Sequence, residues 1–263
     1  SLLPEVVDYI EKTDLWDHFC IVTDDVMPDQ LQNRGHLNYL VKKAIRLGMK
    51  PERAITVTTW TPARRMKLYD RGMLAPGMKA DLILLKNLED FDIRLVMKNG
   101  EIAYDASVEE KPLPQERRFP EKFYESVHLP ELTLEDFIIH TTLPDGLHTA
   151  RTMVPEASTA FVREGRAEVM VKDGRVDYDN TPHCVIAVFD RYTGKANRML
   201  GLTDGPDFIK EGAVACTYAH DHHNLLVAGK TAAECQLAAN WVIAHQGGYC
   251  MVEHGEIVAT LPL

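Results

Sequence analysis

The sequence predicts two kinds of structure, an α/β part at the amino end and a β-rich α+β part at the carboxyl end. Three observations lead to this fold class. Helical periodicity alternates with a short β-prone run early in the chain. Two-residue hairpin signals occur at Asn99-Gly100 and Asp173-Gly174. A capping box at Thr231–Glu234 begins a helix, and a closing hairpin follows it.

The composition excludes several classes of protein. The 263 residues are 45% hydrophobic and 26% charged, with a mean hydropathy of −0.20, which is typical of a soluble globular protein long enough for two domains. The net charge of −10 and the isoelectric point near 5.5 argue against nucleic acid and anionic lipid as partners. No apolar run has the length of a membrane span, and the chain does not begin with a signal-peptide pattern. Five scattered cysteines without a CxxC pair predict no disulfide scaffold and a cytoplasmic location.

The first predicted elements are a helix and a strand. Apolar residues recur at helical spacing over Leu2–Ile10 and predict an amphipathic helix. The run Phe19–Thr23 predicts a buried strand, which ends in Asp24 and Asp25. Because ligands and catalytic groups of α/β folds gather at the carboxyl ends of strands, Asp24 is a candidate for metal ligation or proton transfer. The alternative is that the two aspartates only cap the strand or open a turn.

Two helices are predicted after the carboxylates. A polar loop extends to Gly35, helical periodicity begins at His36 and ends near Gly48, and another helix begins near Pro51. Helix, strand, carboxylate-bearing loop and helix form the repeating unit of a (β/α) barrel. A barrel has eight such strands and this chain predicts one, so we expect the other seven upstream of residue 1. We assign residues 1–74 to this last barrel unit.

This segment resembles the last barrel unit of the adenine deaminases, which belong to the amidohydrolase superfamily. The stretch Leu68–Leu82 is similar to the segment in which amidohydrolases leave the barrel, a pattern of the superfamily and not of one substrate. The sequence departs from the family at Trp60-Thr61-Pro62, where an Asn usually precedes the Pro-Ala pair. The similarity to the barrel unit lies in Thr23–Val26, Gly35–Leu37, Ala44-Ile45, Gly48, Pro51 and Ala54-Ile55.

The middle of the chain predicts a small sheet and a linker. Strands are predicted at Leu82–Leu85 and Leu95–Met97, and the hairpin signal follows the second. The resemblance implies that residues 75–108 are part of a small β-sandwich, whose other half comes from an amino-terminal segment missing here. Residues 109–134 are rich in charge and proline and predict a linker across the surface.

The remaining residues, 135–263, predict a carboxyl-terminal α+β domain. A buried strand is predicted at Val185–Asp190, and a second apolar run extends over Ala213–Tyr218. The helix after the capping box ends at Gly247-Gly248, and the final strands form a hairpin over Tyr249–Leu261. The resemblance implies that this is an adenine-deaminase-type domain, truncated at its end.

Three histidines and an acid follow the second apolar run. On a strand, His220 and His222 would share a face, as in the metal-binding His-x-His motif of hydrolases. The resemblance indicates a different origin, because adenine deaminases carry His-Asp-Ser-His-Asn in this domain. His220, Asp221, His223 and Asn224 match that segment, and His222 stands where the family has Ser.

Three interpretations of this segment compete. We favour a role for His220, Asp221 and His223 in lining or closing the active site, with Asn224 beside them. An auxiliary metal site and a purely structural, hydrogen-bonded turn are the alternatives. His36, which lies at a helix start and matches the family, is expected near the substrate.

The resemblance implies hydrolytic deamination of adenine to hypoxanthine and ammonia. A bound divalent metal makes hydroxide available at neutral pH, and the family uses a pair of transition metals, manganese or iron, with zinc as an alternative. Asp24 matches the family residue that binds metal and transfers protons, and Asp25 is expected to orient ligands or meet a purine nitrogen. Asp24 alone cannot hold a catalytic metal, so we expect this chain by itself to be inactive.

Other functions and partners stay open at this point. The generic barrel-exit motif also permits another aminohydrolase or a cyclic amidase of the superfamily. A non-catalytic module that binds purine or regulates is a third hypothesis. The expected partners are adenine and either another copy of the chain or an amino-terminal fragment, because an incomplete barrel exposes apolar surface.

Overall fold

The computed structural model describes residues 2–108, 119–156, 161–179, 181–203 and 208–263. The chain divides into two compact units, Ser1–Pro114 and Gln115–Leu263, which we call unit 1 and unit 2. Helices predominate early in the chain and strands predominate later, which confirms the mixed α/β and β-rich class. Residues 109–118 of the predicted linker lie outside the described residues.

The helices of unit 1 follow sequence signals. Val7 and Ile10 of the first helix are buried, as its periodicity predicts. The third helix begins directly after His36, and the fourth begins at Pro51, which occupies its first turn. The helices are α1 (Leu3–Thr13), α2 (Pro28–Arg34), α3 (Leu37–Arg46), α4 (Pro51–Thr58) and α5 (Trp60–Arg65), with a 3-10 helix at Trp16–His18.

Helix α2 lies where the sequence predicts a polar loop. Pro28 and Asp29 occupy its first turn, where both residue types are favourable. None of its residues is buried. The loop prediction is therefore wrong because a helix without a buried face has no apolar periodicity to detect.

The run Phe19–Thr23 is not the strand that the sequence predicts. The backbone is extended at Phe19, with φ −110° and ψ 144°, and Ile21 is buried. The Ile21 amide donates to the Val57 carbonyl at 2.9 Å, so the run packs on α4. Among the described residues no strand pairs with it, and a strand needs a neighbour to satisfy its hydrogen bonds. The predicted strand is therefore corrected to an extended segment.

The sheet of unit 1 confirms the predicted hairpin. Its three antiparallel strands have the order β1-β2-β3. Asn99 and Gly100 connect the last two with φ values of 51° and 84°, as a type I′ turn requires. The Asp81 carboxylate accepts from the Asn99 amide and from Lys98 Nζ, both at 2.8 Å. The strands are β1 (Leu82–Leu85), β2 (Ile93–Lys98) and β3 (Glu101–Asp105).

Unit 2 is a nine-stranded sheet with one helix packed on it. All neighbouring strands are antiparallel except β4 and β8, and the order is β12-β11-β9-β10-β7-β8-β4-β5-β6. The strands are β4 (Gly146–Pro155), β5 (Val162–Lys172), β6 (Arg175–Asp177), β7 (Cys184–Phe189), β8 (Arg198–Thr203), β9 (Ala213–Cys216), β10 (Leu225–Gly229), β11 (Tyr249–Glu253) and β12 (Glu256–Leu261), and the helix is α6 (Ala232–Ala244).

The local signals in unit 2 are confirmed. Asp173 and Gly174 connect β5 to β6, and both have positive φ, at 50° and 71°. The Thr231 hydroxyl accepts from the Glu234 amide at the start of α6. The predicted closing hairpin is the β11–β12 pair. These sequence signals were reliable because each turn or helix cap satisfies its own backbone hydrogen-bonding groups locally.

Part of the predicted linker belongs to the core of unit 2. Val127, Leu129 and Leu132 are buried in the same cluster as Val185 and Val227 of the sheet. Gln246, after α6, exchanges two hydrogen bonds with the main chain of Val127, at 3.0 and 3.2 Å. This arm, residues 126–132, is thus fixed on the domain although its sequence suggested a surface segment.

Strand order brings three chain segments together where three neighbouring inner strands of the sheet begin or end. Leu225 pairs with Phe189, and Leu226 pairs with Cys216, so the end of β7 and the end of β9 flank the start of β10. The connection from β9 to β10 carries the histidines and therefore lies beside the segment that follows β7.

Candidate functional site

The residues His220–Asn224, which we call the histidine turn, connect β9 to β10. They are not part of a strand: Asp221 and His223 have positive φ values of 72° and 46°. The His223 amide closes the turn by donating to the Ala219 carbonyl at 2.7 Å. His220 and His222 consequently do not alternate along a strand face, and the parallel with a His-x-His metal motif fails on backbone geometry.

Two side-chain interactions organise the turn. His220 Nδ1 lies 2.9 Å from an Asp221 carboxylate oxygen, and both side chains are exposed. The Asn224 amide donates to His222 Nδ1 at 3.0 Å. This hydrogen bond ties the His222 ring to the main chain at the end of the turn. His222 thus closes the turn internally, whereas His220 and Asp221 face solvent as a paired base and acid.

Arg191 and Tyr192, immediately after β7, hold the turn from the side. Arg191 Nε donates to the His223 carbonyl at 2.6 Å, and the Tyr192 hydroxyl donates to the same carbonyl at 3.0 Å. Sequence reasoning missed both residues. The available signal was their position directly after a predicted strand, but only the strand order shows that this strand is the neighbour of β10.

An aromatic surface adjoins the turn. The ring of Tyr218 lies 5.8 Å from the His223 ring, edge to face, and 6.3 Å from the ring of Tyr249. Tyr218 is 50% exposed, whereas burial raises the pKa of the Tyr249 hydroxyl above its ordinary value. A half-exposed ring beside polar groups is suited to packing against a planar, polar ligand.

In unit 1, the predicted site residues gather around the end of the extended run. Asp24 has a φ of 56°, and both Asp24 and Asp25 are exposed. His36 Nε2 lies 3.1 Å from the hydroxyl of Thr23, the residue that precedes the two aspartates in the chain. A side chain at Gly35 would meet the Asn38 amide group at 2.8 Å, and its φ is 95°, so glycine is required there.

Groups of metal ligands were also sought among the described residues. The single set of three His, Cys, Asp or Glu donors is Glu211, Glu253 and His254, all exposed. It includes neither Asp24 nor a member of the histidine turn. All five cysteines are free, as expected, and no described helix has the length and apolar character that a membrane span requires.

Comparisons with known proteins agree with the resemblance found in the sequence. Residues 159–263 match the family model of the adenine deaminase C-terminal domain, and residues 9–103 match that of the amidohydrolase family. The chain is 44% identical to adenine deaminase 2 of Shouchella clausii, 40% identical to adenine deaminase of Clostridium perfringens and 38% identical to adenine deaminase of Lactobacillus delbrueckii subsp. bulgaricus. Each alignment covers 100% of this chain and 46% of the relative. The chain therefore spans about half the length of the curated relatives it matches, and its likeness to the carboxyl-terminal portion of adenine deaminases is confirmed.

Proposed function

We propose that this chain, which carries an amidohydrolase segment and an adenine deaminase C-terminal domain, belongs to an enzyme that hydrolyses adenine to hypoxanthine and ammonia. The observation that carries the proposal is the similarity of the entire chain, at 44% and 40% identity, to curated adenine deaminases. The two family matches, in their order along one chain, support the same reaction class.

In this proposal Asp24 transfers the protons of the reaction. The water that attacks C6 of adenine gives up both of its protons over the reaction, one to the ring nitrogen and one to the departing amine. An exposed carboxylate at the end of a packed extended run can accept the first proton and return it to the substrate. We assign Asp25, its neighbour, to orienting other polar groups or to a hydrogen bond with a purine nitrogen.

The match to the amidohydrolase family implies a divalent metal, and we propose a manganese or iron pair, with zinc as the alternative. Three or more protein ligands normally hold such an ion, and the three-donor set found among the described residues does not contain Asp24. These residues therefore do not form the metal site by themselves. We propose Asp24 as one ligand among several, and we expect the chain alone not to turn over adenine.

We propose that the histidine turn binds or encloses the purine. His220, Asp221, His223 and Asn224 offer both donors and acceptors, which a purine base with ring nitrogens and an exocyclic amine requires. The half-exposed ring of Tyr218 supplies a face for stacking beside them. In unit 1, the contact of His36 with Thr23 supports the proposal that His36 lies near the substrate.

The finer architecture is also a proposal. We propose that unit 1 contains the last unit of a (β/α)8 barrel over residues 1–74 and part of a β-sandwich over residues 75–108. An apolar cavity of about 620 Å³ lies between helices α4 and α5 and strands β1 and β2, and β1 is the edge of its sheet. Both features support the addition of further strands, from an amino-terminal segment or from a second copy.

A second candidate function, a non-catalytic module that binds purine, is favoured by one observation. The predicted site residues other than Asn224 are exposed, and none belongs to a three-donor set among the described residues. Such a module would bind adenine or hypoxanthine with no metal present. Another aminohydrolase or a cyclic amidase of the amidohydrolase superfamily would share the unit 1 features with a different substrate.

Turnover by the full-length protein separates these functions. Purified protein of measured metal content is assayed with adenine, adenosine, cytosine and dihydrouracil, and this chain alone is assayed beside it. The proposal expects ammonia and hypoxanthine from adenine, with bound metal in the full-length protein and no turnover by the chain alone. Preferred turnover of another substrate would overturn adenine as the proposed substrate. Tight purine binding by a metal-free, inactive full-length protein would instead establish the non-catalytic purine-binding module.

A further inference from the structure

We propose that Arg191 is a positioning residue that sets the conformation of the histidine turn. The inference rests on the proposed function for its catalytic meaning, but its structural part stands on contacts within unit 2. The Arg191 guanidinium joins three segments: the turn itself, the loop after β7 and the arm at residues 126–132.

The guanidinium fixes the backbone at His223, one of the two residues of the turn with a positive φ. His223 adopts a φ of 46°, a left-handed conformation that residues with a side chain seldom adopt. Its carbonyl accepts from Arg191 Nε at 2.6 Å and from the Tyr192 hydroxyl at 3.0 Å. Two donors on one carbonyl define the orientation of that peptide plane, and with it the direction in which the His223 ring leaves the backbone.

The other end of the guanidinium is attached to a rigid part of the domain. Arg191 Nη1 donates to the Ser126 carbonyl at 3.1 Å and to its hydroxyl at 2.5 Å. The next residue, Val127, is buried and bonded through its main chain to Gln246. The His128 amide also donates to the Arg191 carbonyl at 2.7 Å. Arg191 therefore connects the histidine turn to the packed core and fixes its position.

Arginine is specifically suited to this arrangement. Its Nε, Nη1 and Nη2 atoms point in fixed directions and reach four acceptors on three segments: the His223 carbonyl, the carbonyl and hydroxyl of Ser126, and the Tyr192 hydroxyl at 3.1 Å. A lysine offers one nitrogen and could not reproduce the fork. The adjacent Asp190 is engaged with its own loop, because the Thr193 hydroxyl donates to it at 2.6 Å and holds the pKa of that carboxyl below its ordinary value.

Arg191 is not needed to form the sheet. The strand before it packs through Val185, Ala187 and Phe189, all fully buried. The hydrogen bonds of its guanidinium to described residues go instead to the turn, the arm and Tyr192. Its loss should therefore displace the histidine turn and leave the fold intact.

The test compares Arg191→Ala, Arg191→Lys and Tyr192→Phe with Arg151→Ala, which removes an arginine whose side chain is 81% exposed. The imidazole resonances of labelled histidine are recorded on this chain, and kcat/KM for adenine is measured on the full-length protein. We expect both Arg191 variants to shift the imidazole resonances of His220 and His223. We also expect kcat/KM to decrease on the order of 10²-fold, the usual effect of a displacement of about 1 Å. Tyr192→Phe should give a smaller change of the same kind, and Arg151→Ala none.

Added guanidinium ion provides the discriminating readout. Millimolar guanidinium should return the histidine resonances of Arg191→Ala towards those of the wild type, whereas ammonium should not. Unchanged resonances in folded Arg191→Ala overturn the positioning role, and so does equal recovery with ammonium. Shifted resonances with unchanged adenine turnover would support the positioning role of Arg191. The same result would refute the proposed role of the histidine turn in deamination. Should Arg191→Ala fail to fold, the same resonances are compared in Ser126→Ala and Tyr192→Phe. Shifted resonances in these variants would support the positioning role of Arg191, and unchanged resonances in both would overturn it.

Discussion

The two units of this chain bury their apolar residues to different extents. Among the described residues, the core cluster of unit 2 has 20 buried members and that of unit 1 has nine. Both units also leave large apolar side chains exposed, and in unit 1 these lie on several of its elements. Examples are Val22 at 63%, Met66 at 70%, Leu74 at 71%, Leu84 at 58% and Ile102 at 60% exposed.

This difference indicates which part of the chain carries its own stability. In unit 2, α6 and the arm cover one face of a nine-stranded sheet, so the apolar side chains on that face find partners within the unit. In unit 1, an extended run and a three-stranded sheet have apolar side chains that no described residue of the unit covers. Exposed apolar surface marks a site of further contact, and a smaller buried core supplies less stability, so unit 1 should depend on additional protein more than unit 2 does.

The largest expected effect comes from separating the units. Residues 115–263 alone should unfold cooperatively, with a free energy of unfolding of about 5–15 kcal/mol, as for an ordinary domain. Residues 1–114 alone should bind a hydrophobic dye and self-associate, because their apolar surface remains in water. Chemical denaturation, dye binding and sedimentation of the two pieces measure this. A monomeric, cooperatively unfolding piece 1–114 would remove the contrast.

Truncation of a core residue sharpens the comparison. Phe189 is fully buried and contacts Phe137 edge to face, with ring centroids 5.4 Å apart. Phe189→Ala should lower the free energy of unfolding of residues 115–263 by about 3–5 kcal/mol, through lost burial and the cavity left behind. Met199→Ala, at a residue 76% exposed, is the matched control and should change it by less than about 0.5 kcal/mol. Equal small effects of both substitutions in urea titrations would show that unit 2 lacks the tight core assigned to it.

The smallest expected effects are those of two carboxyl groups on the pH dependence of stability, and they have opposite signs in the two units. In unit 1, hydrogen bonds from Lys98 and the Asn99 amide hold the pKa of Asp81 below its ordinary value. In unit 2, burial and the nearby Asp177 and Glu234 raise the pKa of Asp179. Asp81 therefore stabilises the fold above its ordinary pKa, and this contribution is lost as the pH falls through its lowered folded value. Ionisation of Asp179 instead weakens the fold as the pH rises through its raised folded value.

The corresponding variants should differ in their pH profiles. Asp81→Asn should lower the melting temperature of the whole chain at pH 7, and the loss should disappear in acid. Asp179→Asn should raise the melting temperature of residues 115–263 at pH 7, and this gain should disappear below about pH 4, the ordinary carboxyl pKa. Melting curves across this pH range measure both, and a loss of stability in Asp179→Asn at pH 7 would contradict the assigned shift.

Sequence reasoning was accurate where a few adjacent residues determine the structure. The Asn99-Gly100 turn, the Thr231 cap and the helix start at Pro51 each satisfy their backbone groups locally, so their signals suffice. It was wrong at Phe19–Thr23 because a strand depends on a partner elsewhere in the protein. It missed α2 because an exposed helix has no apolar face to detect.

The candidate site shows the same division. The sequence singled out the histidines and Asp221 by their chemistry, Asp24 by its place after a predicted strand, and His36 through the resemblance. It could not show that His222 closes the turn through the Asn224 amide. Nor could it show that Arg191 supports the turn, because the two segments are 32 residues apart and meet through strand order.

The most direct test of the proposed deaminase is the adenine kcat/KM of full-length Asp24→Asn, measured beside Asp17→Asn, an exposed aspartate of the same unit. Because loss of a positioned proton-transfer group costs about 10²–10⁴-fold, the account predicts a decrease of at least that size for Asp24→Asn, together with reduced bound metal and an unchanged melting temperature. Asp17→Asn should behave as the wild type. Wild-type turnover and metal content in Asp24→Asn would contradict the account.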